Sequence, residues 1–137
     1  MKIYLAGPFF NDQQVLLVKD LENFLESKGH RLYSPMKDGG LLKKGDSPST
    51  KVRIFAENVG AIKWSDLVVA IIDDRDSGTI WEMGYAFGIN KPVIAFTNKG
   101  YGLNVMLTEA VYSFCKDKNE LEESLNGNRR FWSGDVQ

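Results

Sequence analysis

Residues 67 to 88 read LVVAIIDDRDSGTIWEMGYAFG, and the first six decide the fold. LVVAII is an unbroken apolar run rich in β-branched side chains, the pattern of a strand buried on both faces. Such a strand belongs in the middle of a sheet covered by helices, and Thr79 to Ile89 supplies a helical segment directly after it. Working outward, the alternation continues in both directions. Toward the N-terminus, KIYLA (2 to 6) reads as a strand. Leu17, Leu21, Phe24 and Leu25 then recur at helical spacing, in a segment that Asn11 or Asp12 caps and Gly29 ends. HRLYS (30 to 34) is a short strand stopped by Pro35, and Lys51 to Trp64 is a second helix carrying Ile54, Val59 and Ile62. Toward the C-terminus come PVIAFT (92 to 97), a short helical segment at 104 to 110, VYSFC (111 to 115) and the charged helix KNELEESL. Strand and helix in strict alternation predict a doubly wound, flavodoxin-like five-stranded parallel sheet with helices on both faces.

In that architecture ligands bind beyond the carboxyl ends of the strands. Those ends are Gly7 to Asn11, Asp73 to Gly78 and Asn98 to Asn104. The one long irregular stretch, MKDGGLLKKGDSPS at 36 to 49, has the length of a functional loop.

The composition narrows the function. A chain of 137 residues makes one domain, 1 to 137, with a substantial core. Its net charge of -1 offers no basic stripe for nucleic acid, so a small or neutral partner fits better. No run approaches a membrane span, and MKIYLAGPFF lacks the cleavage site of a secretory leader. Cys115 is the single cysteine, within the apolar VYSFC; it reads as core packing in a reducing, cytoplasmic setting. His30 has no second His or Cys at ligand spacing, and no metal site is expected.

The junction after the central strand is where chemistry concentrates. Asp73, Asp74 and Asp76 crowd four positions, and like charges so close repel. Asp76 or Ser77 alone would suit a helix cap, and Thr79 to Glu82 matches a capping box in which Glu82 folds back on the helix start. Against that bland use stands the company of Glu82: Trp81, Tyr85 and Phe87 surround it with aromatic surface. Gly84 and Gly88 leave a helical face bare for close approach to the sheet or a ligand. A carboxylate in the first turn is also held ionised by the helix dipole, as a nucleophile requires. Two carboxyl groups, one attacking an anomeric carbon and one aiding the leaving group, are the equipment of glycoside-type chemistry, and Glu82 with Asp76 can be that pair.

These residues resemble the nucleoside 2-deoxyribosyltransferases. The matching pieces are IYLAGPFFND at 3 to 12, IKWSDLVVAIID at 62 to 73, DSGTIWEMGYA at 76 to 86, GLNVM at 102 to 106 and FWSGDVQ at 131 to 137. The resemblance implies that Glu82 attacks C1′ of a 2′-deoxynucleoside and forms a deoxyribosyl ester, which a second nucleobase resolves in a ping-pong exchange. It implies that Asp76 contacts the base and assists its protonation, and that Tyr4 orients the nucleophile. The implied substrate-binding set is Gly7, Phe9 and Phe10 after the first strand, Asn58 on the second helix, Gly78, Asn104 and Met106 in GLNVM, and Gln137. Asn104 would reach a neighbouring subunit's site, so the resemblance implies a homo-oligomer, a hexamer built as a trimer of dimers, or a dimer. No metal or organic cofactor is implied; the partners are deoxynucleosides and free nucleobases. One departure stands out: the family carries an aspartate where this chain has Asn58, and an amide cannot shuttle a proton at neutral pH.

Each site residue also has a structural use: Tyr4 as core, Phe9 and Phe10 as packing, Asn104 as a helix cap, Asp73 and Asp74 as solvated loop acids. Phe9, Phe10, Trp64 and Trp81 are the aromatic residues available to wall a base slot. Competing readings are an N-glycoside hydrolase on the same scaffold and, more distantly, a receiver-type signalling domain or a flavin module. A receiver wants acidic residues after the first strand, and a flavin module wants a hydroxyl-rich phosphate cradle there. Gly7-Pro8-Phe9 provides neither.

Overall fold

The computed structural model describes residues 1–137. In chain order it contains β1 (Lys2–Ala6), α1 (Asp12–Ser27), β2 (Arg31–Tyr33), α2 (Pro48–Trp64), β3 (Leu67–Ile71), α3 (Ser77–Gly88), β4 (Val93–Phe96), α4 (Val105–Ala110), β5 (Ser113–Cys115) and α5 (Lys118–Leu125). The five strands form one parallel sheet in the order β2-β1-β3-β4-β5, with Ala6 beside Ala70 and Ile71 beside Phe96. This is the expected flavodoxin-like winding, and β3 is its centre, buried at every position.

Alternation along the strands sorts the core into two layers. Ile3, Leu5, Val69, Ile71 and Ile94 face α1 and α5, where Val18, Leu21, Leu25 and Leu121 meet them. Tyr4, Ala6, Val68, Ala70 and Ala95 face the other way, against Ile62 of α2 and Met83 and Ala86 of α3. Both faces are therefore dry, which is why the sequence of β3 shows no polar alternation.

Three differences from the sequence reading have local causes. The stretch after β2 is not wholly irregular: Pro35–Gly39 forms one wide helical turn, closed by the Gly40 amide donating to the Pro35 carbonyl at 2.9 Å. Helix α2 starts at Pro48, earlier than expected, because proline suits a first helical position. Helix α3 starts at Ser77 with Asp76 as its N-cap, two residues before Thr79.

That early start changes the part played by Glu82. The Asp76 Oδ2 accepts from both the amide and the hydroxyl of Thr79, each at 2.9 Å. Glu82 therefore lies in the second turn, away from the cap, and the capping-box use does not occur. Gly84 and Gly88 are exposed on the outer face of α3, with open space where a Cβ would stand, and approach neither the sheet nor the Glu82 cleft. No helix is long and apolar enough to cross a membrane.

Candidate active site

The acidic junction divides into three separate tasks. Asp73 is buried, accepting from the Thr97 hydroxyl at 2.5 Å and the Asn98 amide at 3.3 Å, so it ties the end of β3 to the loop after β4. This corrects its reading as a solvated acid. Asp74 is exposed and pairs with Lys99 at 2.7 Å, with Gln14 donating at 3.0 Å; together they hold its carboxyl below the usual range. Asp74 and Arg75 both adopt left-handed backbone, φ 71° and 51°, a conformation that side-chain-bearing residues rarely take without support. Tyr101 supplies that support: its hydroxyl accepts from the Asp74 amide at 3.1 Å and the Arg75 guanidinium lies 4.8 Å from its ring centroid. The turn so fixed delivers Asp76 to the start of α3.

Glu82 is positioned from below. Tyr4 points to the α2/α3 side of the sheet, fully buried, and its hydroxyl donates to Glu82 Oε2. A hydrogen bond to a charged acceptor contributes about 1.5–3 kcal/mol, and this one also sets the carboxylate's direction. Burial is the larger influence on Glu82: it pushes the carboxyl up to about 7, opposed by the Tyr4 hydrogen bond and reinforced by the Asp76 charge. The expectation of a dipole-stabilised carboxylate in the first turn is thereby corrected. Desolvation dominates because Glu82 sits further down the helix, against the sheet. Tyr4 is itself raised above its ordinary value, by burial first and then by the charge and hydrogen bond of Glu82.

Glu82 and Asp76 open onto a cleft of about 400 Å³ at the carboxyl edge of β1 and β3. Gly7, Phe9, Phe10, Asn58 and Gly78 line it. Gly7 has a steric reason to be glycine, since a Cβ there would stand 3.0 Å from Ile71 Cδ1. The Phe9 and Phe10 rings stack at 5.9 Å on one side. Phe55 and Trp81, which also line the cleft, meet at 5.5 Å, and Trp81 stacks on Tyr85 at 5.4 Å. The cleft therefore combines aromatic surface with two carboxyl groups, suited to a flat, uncharged ring attached to a sugar.

A sequence model described as nucleoside 2-deoxyribosyltransferase matches residues 3–125. The chain belongs to the nucleoside 2-deoxyribosyltransferase family. A solved 2-deoxyribosyltransferase from the psychrotolerant bacterium Bacillus psychrosaccharolyticus is 31% identical, with a TM-score of 0.88 over 97% of this chain and 100% of that one. The fold is shared by a 2-desoxiribosyltransferase from Leishmania mexicana, 23% identical, TM-score 0.57, over 74% of this chain and 67% of that one. It is also shared by a CMP N-glycosidase from Clostridium botulinum, 21% identical, TM-score 0.60, over 92% and 98%. An uncharacterized protein of Ureaplasma parvum serovar 3 is 30% identical over 101 residues, 68% of this chain; the match spans 63% of that relative's length.

Not every residue named for this family's site comes to the Glu82 cleft. Asn104, Met106 and Gln137 line a second hollow of about 240 Å³ with Ile72, Arg75 and Ile80. Asn104 caps α4 through Met106 N at 2.9 Å, and Gln137 is held by backbone bonds to Leu103 and Val105. Trp64 is no wall of the slot. It ends α2 at the opposite edge of the sheet, where Lys2 and Arg31 lie over its ring. Its place is taken by Phe55, with Ile54 and Val59 of the same helix face and Leu41 and Leu42 of the long loop. Ile54 and Val59 were legible as helical apolar positions, but nothing in spacing separates an apolar residue facing a core from one facing a cleft. Cys115 is buried, its thiol pushed up to about 12 by burial first, an inert core group.

Proposed function

We propose that this protein transfers 2-deoxyribose between nucleobases through a covalent ester on Glu82. The single observation that carries the reading is the half-buried Glu82 carboxylate, held by the Tyr4 hydroxyl in an aromatic-lined cleft that Asp76 shares. In the first displacement a Glu82 oxygen forms a bond to C1′ and the C1′–N bond breaks. The electron pair goes to the departing base nitrogen, whose protonation Asp76 assists. In the second, a ring nitrogen of an incoming base attacks C1′ from the vacated side and Glu82 leaves as carboxylate. Two inversions retain the anomeric configuration. Burial serves the first half, since a desolvated, more basic carboxylate is a stronger nucleophile toward C1′ than an ordinary glutamate, and the apolar walls protect the ester by limiting water at C1′.

The reading includes assembly as a homo-oligomer and residence in the cytoplasm. Asn104 and Met106 lie outside the Glu82 cleft of their own chain, and in the proposed assembly each protomer carries them to its neighbour's site. Exposed Phe87, Val105 and Met106 border an apolar groove between α3 and α4 that supports such a contact. Light scattering behind a sizing column tests this part.

An N-glycoside hydrolase is the second reading, favoured by the fold shared with the CMP N-glycosidase. For a nucleotide substrate the cleft is poorly equipped, since neither Lys nor Arg lines it to meet a phosphate. Thymidine and hypoxanthine, incubated with the enzyme and separated by chromatography, decide between them. Deoxyinosine and thymine forming together, and vanishing in Glu82→Ala, support transfer; thymine alone supports hydrolysis; neither product counts against both.

A further inference from the structure

The Glu82 cleft is poor in hydrogen-bond donors. Apart from the Trp81 indole, its polar side chains are the carboxyl groups of Asp76 and Glu82 and the amide of Asn58. The amide has a defined orientation. The Tyr33 hydroxyl donates to Asn58 Oδ1 at 3.3 Å, which leaves the Nδ2 hydrogens as what Asn58 offers the cleft.

Tyr33 is itself held in place as a donor. Its ring stacks on Tyr4 at 5.6 Å, with 12° between the planes, so the side chain that aims the nucleophile also buttresses the one that aims the amide. Burial first, then the charges of Glu57, Asp38 and Glu82, raise the Tyr33 hydroxyl above its ordinary value and keep the proton on it. The turn Pro35–Gly39 closes the arrangement from outside. A Cβ at Gly39 would stand 3.0 Å from Asn58 Oδ1 and 3.1 Å from the Tyr33 hydroxyl, so backbone packs directly on the pair.

We propose that Asn58, oriented by Tyr33, is the base-reading residue, and that its N–H donor selects nucleobases presenting a carbonyl oxygen to it over those presenting an exocyclic amine. An amine placed there would oppose donor to donor in an apolar-walled slot and leave both without a protein partner. A carbonyl completes the amide's bonding. The inference rests on the nucleoside reading above.

Hypoxanthine and adenine are a matched pair, differing in oxo against amine at one ring position and in the protonation of the adjoining nitrogen. Their binding to the whole protein is measured by calorimetric titration of the wild type, Asn58→Asp and Tyr33→Phe. The wild type is expected to bind hypoxanthine at least about fivefold more tightly than adenine, the size of one hydrogen bond gained or lost. Asn58→Asp, which accepts rather than donates, is expected to abolish or reverse that preference. Tyr33→Phe, which frees the amide to turn over, is expected to bring the ratio close to one. The ratio is the readout because general damage to the cleft weakens both ligands alike. An unchanged ratio in Asn58→Asp overturns the proposal, as does a wild type that favours adenine or binds neither base. The predicted ratios in a protein that exchanges no bases would uphold the base reader while removing the transferase reading.

Discussion

Glu82→Gln is a test of burial rather than of chemistry. In the unfolded chain Glu82 ionises at its ordinary value, whereas in the folded chain burial pushes it up to about 7. Between those two values the folded protein holds a proton that the unfolded chain has released, so stability falls as pH rises through that window. Below the ordinary glutamate value nothing is lost; above the folded value the loss is complete, at about 3 kcal/mol. Glutamine has no proton to lose, and its Oε1 can still accept from the Tyr4 hydroxyl. The variant is expected to gain on the wild type by about 2 to 3 kcal/mol as pH is raised from near 5 to near 8. Urea unfolding of both proteins at both pH values measures it, and taking the difference of differences cancels every other titrating group. A gap between the two proteins that does not change with pH would refute the desolvation argument.

Tyr4→Phe removes the hydrogen bond that lowers the Glu82 carboxyl, so the acid limb of kcat/KM, set near 7 in the free enzyme, is expected to move to higher pH; an unmoved limb would mean the hydroxyl does not act on Glu82. Asp76→Asn keeps a good helix cap but removes a charge that raises Glu82, so the same limb moves down while kcat falls by about 10² or more from lost proton transfer. A full-rate variant in that profile would remove Asp76 from the chemistry. Asp73→Ala leaves the buried Thr97 hydroxyl and the Asn98 amide without their acceptor and is expected to cost about 2 kcal/mol in urea unfolding; an unchanged midpoint would contradict its tying role. Gly7→Ala presses a methyl onto Ile71 where β1 and β3 meet the cleft, and is expected to lower kcat/KM by about tenfold, measured in the exchange assay.

The sheet was legible because a parallel strand buried on both faces leaves a signal in sequence that few other elements leave. LVVAII has no polar alternation, and the five strands alternating with helices around it point to a parallel sheet covered on both faces. Glu82 and Asp76 stood out as candidates because charge at the end of a buried strand needs a reason, and the structure places both at one cleft. What escaped were facts of three dimensions. Thr79 and Asp76 are both good caps, and sequence offers no means of choosing between them; the choice moved Glu82 from the helix end, where the dipole favours its charge, to a buried turn where desolvation opposes it. Asp73 and Asp74 are neighbours of one residue type, yet one points inward to Thr97 and the other outward to Lys99. Phe55 and Trp64 are aromatics of one helix, and only the rotation and length of α2 place Phe55 at the cleft and Trp64 at the far edge of the sheet.

The central claim is that Glu82 carries the sugar. The most direct measurement mixes the protein with a 2′-deoxynucleoside in the absence of any acceptor base, quenches rapidly in acid, and reads the intact mass and then the peptide masses. The account predicts a mass increase of one deoxyribosyl group, located on the peptide that contains Glu82, absent from Glu82→Ala, and discharged when a base is added before the quench. Base exchange proceeding at full rate in Glu82→Ala, or an adduct found on another residue, would contradict it.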